Sequence, residues 1–84
     1  MKKVEIYTGP VCAFCNAAKT LLTKKNIAFD EIDIGDNLEK REEMLKRSNG
    51  AKTIPQIFIA GHHVGGYAQL RTLEHEGELD KILK

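Results

Sequence analysis

The hydrophobic period changes twice between Val4 and Ile34, and no other feature of this chain constrains its fold as strongly. Val4, Ile6 and Thr8 alternate with Glu5 and Tyr7, and a run rich in β-branched residues at a period of two belongs to a strand. Gly9-Pro10 stops it. From Cys12 or Ala13 to Lys25 the spacing is helical, with Ala18, Leu21 and Leu22 on one buried stripe. Lys24 and Lys25 fall in the last turn, where positive charge suits the helix dipole, and Asn26 is placed to cap it. Ile27 to Ile34 returns to a strand pattern, with Phe29, Ile32 and Ile34 apolar and acids between them. Strand, helix and strand in so short a span imply a right-handed crossover and a parallel pair.

The only two cysteines, Cys12 and Cys15, stand where the first strand gives way to the helix. Unpaired N–H groups and partial positive charge at a helix N-terminus favour an anion. The anion available is a thiolate, the form that attacks disulfides, and such surroundings lower a cysteine pKa from about 8.5 to between about 3.5 and 7.5. Cys12, nearer the terminus, is expected to be the nucleophile. Cys15, three positions on and further in, is expected to resolve the mixed disulfide. A zinc site or a permanent disulfide are the other uses of such a pair. Zinc takes about four ligands, and His62, His63 and His75 lie far away at spacings unlike finger motifs; no metal is expected.

Asp36 and Glu39 are spaced as a capping box for a second helix running to about Ser48, with Leu38, Met44 and Leu45 buried. Its other face, Glu39 to Glu43 with Lys46 and Arg47, reads as a solvated, self-paired surface, from which Lys40 or Arg41 could reach an anionic ligand. Thr53-Ile54-Pro55 leads into an apolar strand, Gln56–Ile59, and 60–64 turns into a short partner strand. A proline opening a strand donates no ladder hydrogen bond, so the backbone beside it has another use. Gly65-Gly66 ends the hairpin with positive φ or a close backbone approach. Leu70, Leu73, Leu79, Ile82 and Leu83 mark two short helices broken at Gly77. Tyr7, Phe29 and Phe58 are expected in the core, Phe14 near the surface beside the sulfurs, and the histidines in solvent.

With 84 residues, 42% hydrophobic and 30% charged, residues 1–84 are expected to form one domain. Net charge is +1 with both signs interleaved, so no basic face points to nucleic acid. No long apolar segment points to a membrane. These readings place the protein in the cytoplasm, where a reducing environment implies that the cysteine pair cycles, and the expected state is a monomer.

Cys-x-x-Cys after the first strand, Thr-Ile-Pro before the third and Gly-Gly after the fourth, with Lys40–Ser48 and Pro55–Ile59 between and around them, resemble the dithiol glutaredoxins along essentially the whole chain. The resemblance implies an α/β, thioredoxin-like fold: a four-stranded mixed sheet flanked by helices on both faces. It also implies a glutathione-dependent oxidoreductase that reduces protein disulfides and glutathione mixed disulfides, with glutathione and glutathionylated or disulfide-containing proteins as partners. The catalytic pair would be Cys12 and Cys15. Glutathione would be bound by Phe14, in place of the usual tyrosine, by Thr53, Ile54 and a cis Pro55, with the Ile54 backbone pairing the cysteinyl group, and by Gly66, Tyr67 and Ala68 at the γ-glutamyl end.

Three departures stand out. Cys12-Ala13-Phe14-Cys15 replaces the usual Cys-Pro-Tyr-Cys, Gly9 replaces a lysine, and Tyr67-Ala68-Gln69 replaces a run containing acids. Each lost charge-assisted hydrogen bond removes roughly 1.5–3 kcal/mol, or tens to over a hundredfold in affinity. A working enzyme with reduced glutathione selectivity is the expectation. Alternatives are a thioredoxin-like carrier reduced by a flavoprotein reductase, which the absence of tryptophan weakens, and a glutathione-ligated iron–sulfur carrier, which Ala13 favours.

Overall fold

In the computed structural model, which describes residues 1–84, the two changes of period do build a strand, a helix and a strand. The elements are β1 (Val4–Thr8), α1 (Ala13–Lys24), β2 (Asp30–Asp33), α2 (Leu38–Arg47), β3 (Gln56–Ile59), β4 (His62–Gly65), α3 (Tyr67–His75) and α4 (Glu78–Leu83). The sheet order is β2-β1-β3-β4. β1 pairs parallel with β2 and antiparallel with β3, and β3 pairs antiparallel with β4, so the sheet is mixed.

Alternation along β1 divides the core. Val4 and Ile6 face one side with Ile57 and Ile59, packed under Ala18 and Leu22 of α1, Leu70 of α3, and Leu79 and Leu83 of α4. Tyr7 and Phe58 face the other side, against Ile34 and Met44 of α2. Helices therefore cover both faces. At the C-terminal end of β1, the buried Thr8 hydroxyl donates to Glu31 (2.7 Å), which Lys19 of α1 also holds (3.0 Å). Those bonds, Thr8's first, keep Glu31 below the usual carboxylate range.

Four expectations need correction. β2 begins at Asp30, not Ile27, because α1 ends in a Schellman motif. Asn26 takes φ 58°, its N–H reaches Thr23 O (3.0 Å), and Ile27 N–H reaches Leu22 O (2.9 Å). Ile27 is buried as the apolar partner of that motif and not as a strand residue. α2 is capped by Asn37, whose side chain accepts from Lys40 N–H at 3.0 Å, and not by Asp36. Leu38, six residues before buried Met44, lies about 240° around the helix from it, and is 70% exposed where burial is expected. Finally, the polar face of α2 is not wholly solvated. Arg47 donates to Glu5 (2.8 Å) and to the Tyr7 hydroxyl (2.8 Å), its guanidinium sits 4.2 Å from the Phe58 ring centroid, and Tyr7 donates to Glu43. Lys40 is occupied by Glu43 (3.3 Å).

Candidate active site

Cys12 is the N-cap of α1, with extended backbone (φ −126°), and its Sγ accepts the Cys15 N–H at 3.1 Å. The next amide, Asn16 N–H, closes onto Cys12 O (3.1 Å), so the sulfur occupies the place a capping oxygen takes elsewhere. No acidic residue in the first turn offsets the positive end of the helix. The two cysteines are joined as a disulfide. Cys15 is 1% exposed, whereas Cys12 is only half-buried. Val11, directly before it, is fully exposed with φ 49°, a left-handed conformation that strains a β-branched residue.

Two other segments meet this helix end. The first is Thr53-Ile54-Pro55, whose Ile54–Pro55 peptide is cis; Ile54 O lies 3.9 Å from Cys12 Sγ. Pro55 is buried, and Thr53 is turned toward Gln56. The second is the start of α3. Gly65 has φ 121°, and a Cβ there would meet the Gln69 side chain at 3.0 Å. Gly66 caps α3 with an ordinary φ of −94°, its N–H donating to Gln69 Oε1 (2.9 Å). The first intrahelical bond is Leu70 N–H to Gly66 O (3.1 Å), which leaves the Tyr67 and Ala68 amides among the open N–H groups of the first turn.

The residues singled out from sequence thus meet in pairs. Cys12 meets Ile54, and Phe14, 65% exposed, stacks on Tyr67 with centroids 6.1 Å apart. A Cβ on Gly66 would stand 3.5 Å from Pro55 O. Phe14, Tyr67 and Ala68 border a depression of about 430 Å³ with Arg71, Thr72 and His75. A larger one of about 590 Å³ lies between β4 and α3, and neither cysteine lines it.

Two glycines pack against the segments that flank Cys12, Gly9 against Ile54 and Gly35 against Pro10. A Cβ on Gly9 would come within 2.7 Å of Ile54 Cδ1, the movable end of a side chain. One on Gly35 would come within 2.6 Å of Cδ in the Pro10 ring and 3.0 Å of Asp33 Oδ1, and a ring cannot rotate away. Gly35→Ala should therefore cost about 1 kcal/mol, or roughly 4–8 °C in melting temperature. Thermal denaturation checks this, and an unchanged midpoint would show that the Pro10 turn is loose.

Among known proteins, the glutaredoxin family model matches residues 4–64. Glutaredoxin 3 of Escherichia coli K12 is 50% identical over 84 residues, the full length of both chains. A solution structure of glutaredoxin from Brucella melitensis is 50% identical and superposes with a TM-score of 0.86, covering 100% of this chain and 90% of that one. The fold recurs at 21% identity in a buckwheat glutaredoxin–glutathione complex, with a TM-score of 0.87 over 98% of this chain and 76% of that one.

Proposed function

The chain belongs to the glutaredoxin family and is a thiol–disulfide oxidoreductase of thioredoxin-like fold, and we propose that it reduces protein disulfides and glutathione mixed disulfides with glutathione as reductant. The Cys12 thiolate attacks the glutathione sulfur of a mixed disulfide; that S–S bond breaks, and the protein thiolate leaves and takes a proton. Cys12 now carries glutathione. A second glutathione thiolate attacks the bound glutathione sulfur, releasing glutathione disulfide and restoring the Cys12 thiolate. On a protein disulfide, Cys12 forms the mixed disulfide and Cys15 displaces the remaining substrate thiol. Two glutathiones then reduce the Cys12–Cys15 bond.

The observation that carries this reading is the half-exposed Cys12 sulfur at the α1 N-terminus, 3.1 Å from the Cys15 amide, with Cys15 buried behind it. Its use of glutathione is supported by the buckwheat relative of the same fold, solved as a glutathione complex. Here the cysteinyl backbone would pair with Ile54 beside Cys12. The γ-glutamyl carboxylate would take the open amides of Tyr67 and Ala68, and the Phe14–Tyr67 stack would cover the ligand.

Neither Gly9 nor Ala68 supplies a charge to such a ligand. Gly9→Lys supplies a cation and displaces only the tip of Ile54, so it should lower KM for glutathione about two- to fivefold. Steady-state kinetics at several glutathione concentrations check this. The function itself is tested by reducing a glutathionylated peptide with electrons from glutathione and its reductase, or from thioredoxin reductase. Turnover with glutathione is expected; turnover only with the flavoprotein would replace this reading with that of a reductase-fed carrier.

A further inference from the structure

Gln56 opens β3 on the face that carries Phe58, and its side chain is buried at 3% exposure. Its amide is fully engaged. Nε2 donates to Thr53 O at 2.9 Å and lies 3.3 Å from Thr53 Oγ1, while Oε1 is 2.6 Å from His63 Nε2. The orientation is dictated by chemistry, because a backbone carbonyl can only accept, so Nε2 must face Thr53 and Oε1 must face the histidine. His63 Nε2 therefore carries the hydrogen. The His63 ring lies on Phe58, with centroids 5.0 Å apart and planes 30° apart, which holds that N–H in line.

The chain of contacts runs from edge strand β4 through β3 to the segment beside the cysteines. Residues 51–55 lie outside any helix or strand, so their order depends on side chains. Ser48 Oγ holds the Ala51 N–H (3.1 Å) at one end, and Gln56 holds Thr53 at the other. Thr53 directly precedes Ile54, whose carbonyl stands 3.9 Å from Cys12 Sγ.

We propose that Gln56, locked by the His63 N–H, is a positioning residue that fixes the Thr53–Ile54 backbone for the glutathionyl half of the substrate. The proposal rests on the glutathione-dependent function above. It predicts an effect on binding and none on the nucleophilicity of Cys12. His63→Phe keeps a ring on Phe58 and removes the N–H; His63→Gln keeps an N–H donor; Gln56→Glu puts an acceptor opposite Thr53 O.

The experiment is steady-state kinetics on a glutathionylated peptide, with thermal melting of each variant alongside. His63→Phe and Gln56→Glu should raise KM about fivefold with kcat within twofold, and His63→Gln should match the parent protein. An unchanged KM in His63→Phe, an equal rise in His63→Gln, or a KM that follows melting temperature instead of the donor would overturn the proposal. If the parent protein does not use glutathione, the functional reading fails separately, and the Thr53 and Ile54 amide resonances decide this one. Shifts or broadening in His63→Phe that His63→Gln reverses would support positioning; unchanged resonances would refute it.

Discussion

Cys12→Ser should bring turnover of a glutathionylated peptide to background, a loss of at least about a thousandfold, because a hydroxyl at neutral pH is neither the anion nor the leaving group the exchange needs. Cys15→Ser should keep that activity within about threefold, since external glutathione clears the mixed disulfide without it. The asymmetry follows from placement. Cys12 Sγ is at the helix end and accepts the Cys15 amide, and Cys12 is only half-buried, whereas Cys15 is 1% exposed. Toward an intramolecular protein disulfide the outcome changes, and Cys15→Ser should be severely slowed because nothing near Cys12 then displaces the second substrate thiol. Alkylation of the reduced protein gives an independent check. Iodoacetamide should label Cys12 first, with a rate that stays high below the usual cysteine pKa. Preferential labelling of Cys15, or survival of activity in Cys12→Ser, would reverse the assignment of roles.

The cysteine pair is legible in local pattern because its parts are local, whereas Thr53–Pro55 and Gly66–Ala68 enter only through the family resemblance. Cys12 and Cys15 share one helical turn at the end of a period-two run, and both the turn and the run are visible in a dozen residues. What failed were distinctions smaller than a turn or contacts longer than an element. Asp36 and Asn37 are both good caps, and a one-residue difference in where a helix starts leaves the apolar pattern behind it unchanged. Ile27 has a strand-forming side chain but is buried by a helix-ending motif. The pairing of Gln56 with His63 depends on the β3–β4 register, including the irregularity between Ile57 and Phe58, which no alternation encodes.

Arg47 departs furthest from the solvated face its helix pattern suggests, and the sequence holds a signal for it: a tyrosine buried in a strand needs a partner for its hydroxyl. Tyr7 is wholly buried, and the side chains that answer it, Glu43 and Arg47, are four residues apart on one face of α2. The distance in sequence, 36 and 40 residues, is what hid them. Arg47→Met keeps much of the aliphatic bulk over Phe58 but leaves Glu5, with 18% of its side chain exposed, without its cation. Breaking such a pair is expected to cost about 3 kcal/mol, the low end for buried pairs because this one is partly wet. In melting temperature that is roughly 12–24 °C for a domain of this size.

The pH dependence separates the ionic share from lost packing. The Arg47 hydrogen bond holds Glu5 below the ordinary carboxylate range, and the Tyr7 hydroxyl does the same for Glu43. A depressed folded pKa gives stability that is present above the unfolded value and lost as pH falls through the folded one. The parent protein should therefore weaken below about pH 4.5, the ordinary glutamate value. Burial, aided by Glu43, pushes Tyr7 above its ordinary 10.0. That contribution is present below the unfolded value and is lost as pH rises through the folded one, weakening the alkaline side. In Arg47→Met the acid slope should flatten, because Glu5 has lost the cation that depressed it. Denaturant melts at pH 7, 5 and 3.5 measure this directly. Equal losses at all three would mean that Arg47 stabilises the fold through its hydrogen bond to Tyr7 and its guanidinium on the Phe58 ring, and not through its pairing with Glu5.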